Sequence, residues 1–134
     1  MQKSVKFAAK YRIYYEDTDA GGVVYYANYL KFFERCRTDF LRSKGVNQKN
    51  LATTQESLFV VRKCSAEYLL PARLDDVIIV TMSVKEVRGA SVILEQRAIL
   101  NNMILCNFEV VIVCVSSIDF KPKKISSEIR AMFE

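Results

Sequence analysis

The sequence predicts an α+β domain in which one long amphipathic helix lies on an antiparallel sheet. Three observations carry that expectation. A single segment, residues 25–44, repeats its apolar positions at three- and four-residue spacing. Five runs read as strands, and turn residues rather than helices separate the last three of them. The order is strand, helix, then a meander of four strands, which buries one helix against one sheet face. With 134 residues the chain suits one domain, 1–134, with a real core, and it shows no linker, repeat or low-complexity segment.

Each element has its own signal. Residues 5–15 form the first strand, with Tyr11, Ile13 and Tyr15 at period two. Residues 16–22 are acidic and Gly-rich, hence a loop. In the helix, Tyr29, Phe32, Phe33, Cys36, Phe40 and Leu41 make the apolar stripe, which reads as core packing. Asn28 is a candidate N-cap, and Gly45 stands where the helix should stop. A polar stretch, 47–57, follows without a regular element. The four remaining strands are 58–70 (ending at Pro71), 77–87, 91–100 and 104–115, with turns at Arg88–Gly89 and Asn101–Asn102. The run Val110–Val115 is apolar on both faces, so it belongs in the middle of the sheet or at an interface. Residues 126–133 suit a short terminal helix. A sheet with one covered face and two edges favours self-association, so a homo-oligomer is expected.

Composition narrows the function. The net charge of +5 suits a soluble surface, and it leaves room for a ligand that carries phosphates. Lys121, Lys123 and Lys124 form the tightest basic group and read as a solvated tail. No aromatic–basic alternation of an RNA-binding sheet appears, so nucleic acid is not an expected partner. Residues 1–10 lack the apolar core of a signal peptide, and no run approaches the ~20 apolar residues of a membrane span. Cys36, Cys64, Cys106 and Cys114 include no CxxC pair, and the chain has no histidine. A zinc site is therefore not expected, and buried free thiols in the cytoplasm are.

Without histidine, acid–base chemistry falls to a carboxylate, a Lys, a Tyr or a Cys. The richest cluster is Glu16-Asp17-Thr18-Asp19-Ala20-Gly21-Gly22 at the helix entrance. Free N–H groups and the positive end of the helix dipole lie there. Asp17 or Asp19 could act as general base or nucleophile, with the helix-start N–H groups holding an oxyanion. Gly21 and Gly22 allow close backbone approach, and Val23 and Val24 could exclude water from the carboxylates. Residue types alone equally describe an acidic turn before a helix.

The run Tyr14-Tyr15-Glu16-Asp17-Thr18-Asp19-Ala20-Gly21-Gly22-Val23-Val24-Tyr25-Tyr26-Ala27-Asn28-Tyr29 resembles the active-site segment of hotdog-fold acyl-CoA thioesterases. It is most similar to the YbgC branch of the 4-hydroxybenzoyl-CoA thioesterase family. Phe33–Thr38, Phe59–Lys63, Glu67–Asp76 and Val87–Ser91 resemble further family segments in the same order, so the likeness spans residues 10–122. It implies a hotdog fold, a long helix wrapped by a curved antiparallel sheet of about five strands. It implies homodimers joined edge to edge, often paired into homotetramers, with the site at the subunit interface. The substrate would be an acyl-CoA, or an acyl group on acyl carrier protein, hydrolysed to a carboxylic acid with no cofactor and no metal.

On that resemblance Asp19, rather than Asp17, is the catalytic carboxylate, and the backbone N–H of Tyr26 polarises the thioester carbonyl. Gly22, Val23, Val61 and Arg62 line the substrate, and Arg88 meets the phosphates of coenzyme A. The YbgC branch usually carries His where this chain has Tyr26, whereas the 4-hydroxybenzoyl-CoA branch carries Tyr. That departure keeps a non-catalytic module binding acyl-CoA or acyl carrier protein as the alternative. A hotdog dehydratase ranks lower, since those enzymes rely on a catalytic His.

Overall fold

A computed structural model describes residues 4–134. Its strands are β1 (Phe7–Arg12), β2 (Ser57–Tyr68), β3 (Val77–Val87), β4 (Ser91–Leu100) and β5 (Met103–Ser116). Its helices are α1 (Tyr29–Ser43), α2 (Gln48–Thr54) and α3 (Ser127–Phe133), with short 3₁₀ turns at Tyr15–Asp17 and Tyr26–Asn28. All five strands join one antiparallel sheet in the order β1-β3-β4-β5-β2. This is the predicted α+β arrangement, with α1 against one face.

The helix lies where its pattern places it. Tyr29, Phe32, Phe33, Cys36, Phe40 and Leu41 are all buried, and the Phe33 ring stacks on Phe108 of β5 at 4.5 Å between centroids. It closes at Gly45, whose N–H donates to Arg42 while Val46 N–H donates to the Leu41 carbonyl. The start is less regular than expected, because residues 26–28 wind as a 3₁₀ turn before α1 begins. Asn28 makes no side-chain cap, and its amide is spent elsewhere.

Several expectations are corrected. The meander covers only β3, β4 and β5, whereas β2 crosses to the far edge and pairs with β5. Strand pattern reveals faces but not neighbours, so this exchange leaves no local trace. The first strand is shorter than 5–15, because Tyr15–Asp17 turns away. The polar stretch holds α2: the Asn47 side chain accepts from Lys49 N–H and Asn50 N–H, and Leu51 alone anchors the helix in the core. Cys64 is exposed, unlike the other three thiols. Residues 121–125 are no loose tail. Lys123 N–H donates to the Cys114 carbonyl, its Nζ to the Gln55 carbonyl, and Ile125 N–H to the Gly89 carbonyl.

Other expectations hold in detail. Asn101 and Asn102 both adopt positive φ and close a two-residue hairpin between Leu100 and Met103. In β5, Val110, Ile112 and Cys114 enter the main core, while Val111, Val113 and Val115 cluster with Ile93 on the other face. Helix α3 forms over the expected tail, with Ser126 Oγ accepting from Ile129 N–H and Phe133 packed on Phe40.

Candidate functional site

The acidic loop leaves β1 at one end of the sheet and returns to α1 as a tight hairpin. Asp19 N–H donates to the Val23 carbonyl at 2.9 Å, Gly22 N–H donates back to the Asp19 carbonyl at 3.0 Å, and Thr18 bridges Val24. Gly22 has φ +78°, a left-handed conformation that disfavours other residues. A Cβ on Gly21 would stand 3.2 Å from Asp19 Oδ1, so glycine there leaves the carboxylate uncrowded. The loop is clipped to the segment before β3 by Val24 N–H to the Ala72 carbonyl and by a Val23–Arg73 bridge. Ala72 N–H in turn donates to the buried Tyr29 hydroxyl.

The two aspartates face opposite ways. Asp17 is 6 % exposed, and its Oδ2 accepts from Tyr14 N–H at 2.8 Å. Its carbonyl accepts from Tyr25 N–H and from the Asn28 side chain, which ties the loop to the helix entrance. Asp17 is thus built into the loop's own framework. Asp19 is exposed, with Oδ1 held by Gly21 N–H at 2.8 Å. The apolar neighbours do not wall it off within one subunit. Val24 turns into the core and Val23 is half-buried.

Tyr26 opens the helical segment, where the first N–H groups have no acceptor within the helix. Its ring lies 4.9 Å from Tyr25 and 5.8 Å from Tyr68 at the end of β2, and Tyr68 also meets Tyr29 at 5.7 Å. Burial raises the pKa of Tyr29 and Tyr68, and the adjoining Tyr26 side chain raises that of Tyr25, so all three phenols stay protonated at neutral pH.

The structure gathers Asp19, Gly22, Val23 and Tyr26 in one place and sets the other candidates apart. Val61 and Arg62 lie on the free edge of β2, where the pairing register shifts and Arg62 is left out of the ladder. Arg88 sits on the β3–β4 hairpin. The eleven residues of β3 separate that hairpin from the loop's end of the sheet by about 33 Å. Arg88 is exposed there, paired with Glu86 at 3.1 Å. Sequence reasoning passed over Tyr68, which carries the contact between β2 and the helix entrance. An aromatic residue just before a proline-ended strand was its only signal.

Residues 21–107 match the family model of the thioesterase superfamily. The chain belongs to this family. The match contains Gly22, Val23, Tyr26, Val61, Arg62 and Arg88, and begins two residues after Asp19. Similarity extends well beyond those residues. The acyl-CoA thioesterase YbgC of Haemophilus influenzae is 43 % identical over 127 residues, 95 % of this chain and 93 % of that protein. The acyl-CoA thioester hydrolase YbgC of Escherichia coli is 44 % identical over 92 % of each chain. The crystal structure of a probable thioesterase from Bartonella henselae superposes with a TM-score of 0.87 at 32 % identity, over 92 % of this chain and all of that one. The fold is therefore the hotdog fold that the sequence motifs imply.

Proposed function

We propose that the chain is an acyl-CoA thioesterase. The single observation that carries this reading is the exposed, backbone-held Asp19 carboxylate on a loop that runs into the open first turn of the helix, in a thioesterase-superfamily chain. Asp19 either draws a proton from water as it adds to the thioester carbon, or attacks that carbon itself. The Tyr26 N–H holds the carbonyl oxygen as it gains charge, a contact worth on the order of 10²-fold in rate. The C–S bond then breaks and the thiolate of coenzyme A takes up a proton. After water attack the acid leaves directly, whereas after Asp19 attack water must first cleave the mixed anhydride on Asp19 to release the acid and restore the carboxylate. No step calls for a cofactor.

The rest of the site comes from a second subunit. Joining two copies by antiparallel pairing of β2 reverses the partner strand. It carries the partner's Val61 and Arg62 toward this subunit's Tyr68, and so toward Tyr26 and Asp19. The same reversal brings the partner's Arg88 hairpin to this end, because that hairpin lies where β2 begins. In this arrangement Gly22, Val23 and Val61 line the pantetheine arm and acyl group, while Arg62 and Arg88 meet phosphate. The working form is a homodimer or a pair of homodimers. The place of work is the cytoplasm, where coenzyme A and acyl carrier protein thioesters are both available. Among the described residues no helix is long and apolar enough to cross a membrane.

Release of free thiol from a panel of acyl-CoAs tests this directly. At least one member should be hydrolysed, and Asp19→Asn should lower kcat by roughly 10²-fold or more with the fold intact. A panel left untouched, or a fully active Asp19→Asn, would overturn the reading.

A further inference from the structure

A cavity of about 120 Å³ lies under β2, between that strand and the second half of α1, well away from the subunit's own Asp19 loop. One wall is apolar, including Leu41 and Val61, and the other is polar: Glu34, Arg37, Thr38 and Gln48. The polar wall is organised. Thr38 Oγ1 donates to Glu34 Oε1 at 2.7 Å, and Gln48 Nε2 donates to Thr38 Oγ1 at 3.2 Å. Arg37 Nη1 donates to Gln96 Oε1 at 3.0 Å, and the fully buried Gln96 is itself fixed by donating to the Phe33 carbonyl at 3.0 Å.

Arg37 is a half-buried cation anchored by a neutral amide, and Glu34 beside it is exposed at the cavity mouth. Among the described residues no carboxylate oxygen lies within 4 Å of its guanidinium. Burial lowers its pKa while Glu34 acts in the opposite direction, which places the two charges near each other without contact. A guanidinium has five N–H donors, and one anchor on Gln96 leaves others for the cavity. Among the described residues no Arg37 nitrogen is both buried and unpartnered, so its remaining donors stay open to the cavity and to a ligand entering it.

We propose that this cavity receives the far end of the acyl group and that Arg37 and Glu34 select a hydroxyl there. This rests on the thioesterase reading, in which pairing along β2 carries the partner's Asp19 loop to the mouth of the cavity. The charges of Arg37 and Glu34 cancel, so an acyl end of either charge meets a like charge as well as an opposite one. A neutral hydroxyl suits both: it accepts from the guanidinium and donates to the carboxylate. The aliphatic wall accommodates the methylene chain before it. The substrate class is thus an aliphatic acyl thioester ending in a hydroxyl, in preference to the plain alkyl chain of the same length.

The experiment compares kcat/KM for straight-chain acyl-CoAs of about four to eight carbons with their ω-hydroxy counterparts. At the best-fitting length the hydroxy member should lead by ~10-fold or more. Arg37→Met and, independently, Glu34→Gln should each bring that ratio toward one. A ratio within one preparation does not depend on how much of a variant is folded. Equal kcat/KM for every pair in the unaltered protein would overturn the hydroxyl pocket while leaving the thioesterase standing. So would a ratio preserved in both variants. Failure to hydrolyse any member would bring down both.

Discussion

The two edges of the sheet are built to different specifications. β1 is short and finished. Its inward side chains Phe7 and Tyr11 pack on Phe40 and Phe32, and the Tyr11 hydroxyl donates to Asp39 of α1. Its outward positions include Lys10 and Arg12, charges that discourage another strand from pairing there. β2 is twice as long, and every residue from Val61 to Tyr68 is exposed. Val61 is half exposed, and Leu69 and Leu70 extend the apolar strip beyond the strand. An edge of that length and apolarity invites a further strand, so the contrast favours β2 over β1 as the joint of the proposed dimer.

The largest effect should come from placing one charge on each edge. Val61→Asp should turn the assembled protein into monomers by light scattering, because a carboxylate buried in the joint without a partner costs about 3 kcal/mol or more. Thioester hydrolysis should fall with it. Ala8→Asp, the same insult on β1, should leave mass and activity near those of the unaltered chain; equal damage from both would erase the distinction between the edges.

A smaller effect sharpens the contrast at one atom. Cys64 is the exposed thiol, and it stands on β2. Pairing along β2 covers it, so a maleimide should label it on the order of tenfold faster in Val61→Asp than in the assembled protein. Cys36, Cys106 and Cys114 should resist labelling in both. Fast labelling of Cys64 in the native assembly would place the joint elsewhere.

The smallest effect reads the finished side. Cys36 is fully buried against the Val80 carbonyl of β3, and burial pushes its thiol from 9 up to about 12. The unfolded chain then loses this proton at lower pH than the folded one. The contribution is complete below pH 9 and is lost as pH rises toward 12, at no more than ~1.4 kcal/mol per pH unit. Denaturation followed between these limits should show Cys36→Ala with the shallower decline; parallel declines would mean that this thiol titrates alike in both states.

The sequence made some of this architecture plain and hid the rest for physical reasons. The stripe of α1 and the Asn101–Asn102 turn are local, and local pattern predicts local form. The place of β2 is set by which strand lies beside it, and alternation carries no record of neighbours. Helix α2 went unread because it offers the core only Leu51 and depends on the Asn47 cap. At the site, spacing presented Asp17 and Asp19 as equals. Their difference arises from one hydrogen bond, Tyr14 N–H to Asp17, that needs the 3₁₀ turn to form. The Arg37 cavity joins α1, α2, β2 and β5 from distant parts of the chain, beyond the reach of any motif.

The crossing of β2 to the far edge also sets a timetable. β3, β4 and β5 can zip as successive hairpins through short turns, whereas Ser57 must wait for Ser116 and Tyr68 for Cys106. Closing those long loops has an entropic cost before any ladder bond repays it, and joining β1 to β3 spans a longer separation still, so both edge strands should dock after the β3–β4–β5 meander. On a ribosome, β2 emerges before β5 does. The strand proposed to join two subunits would therefore emerge with both edges bare, and an early encounter between nascent copies would find it unguarded.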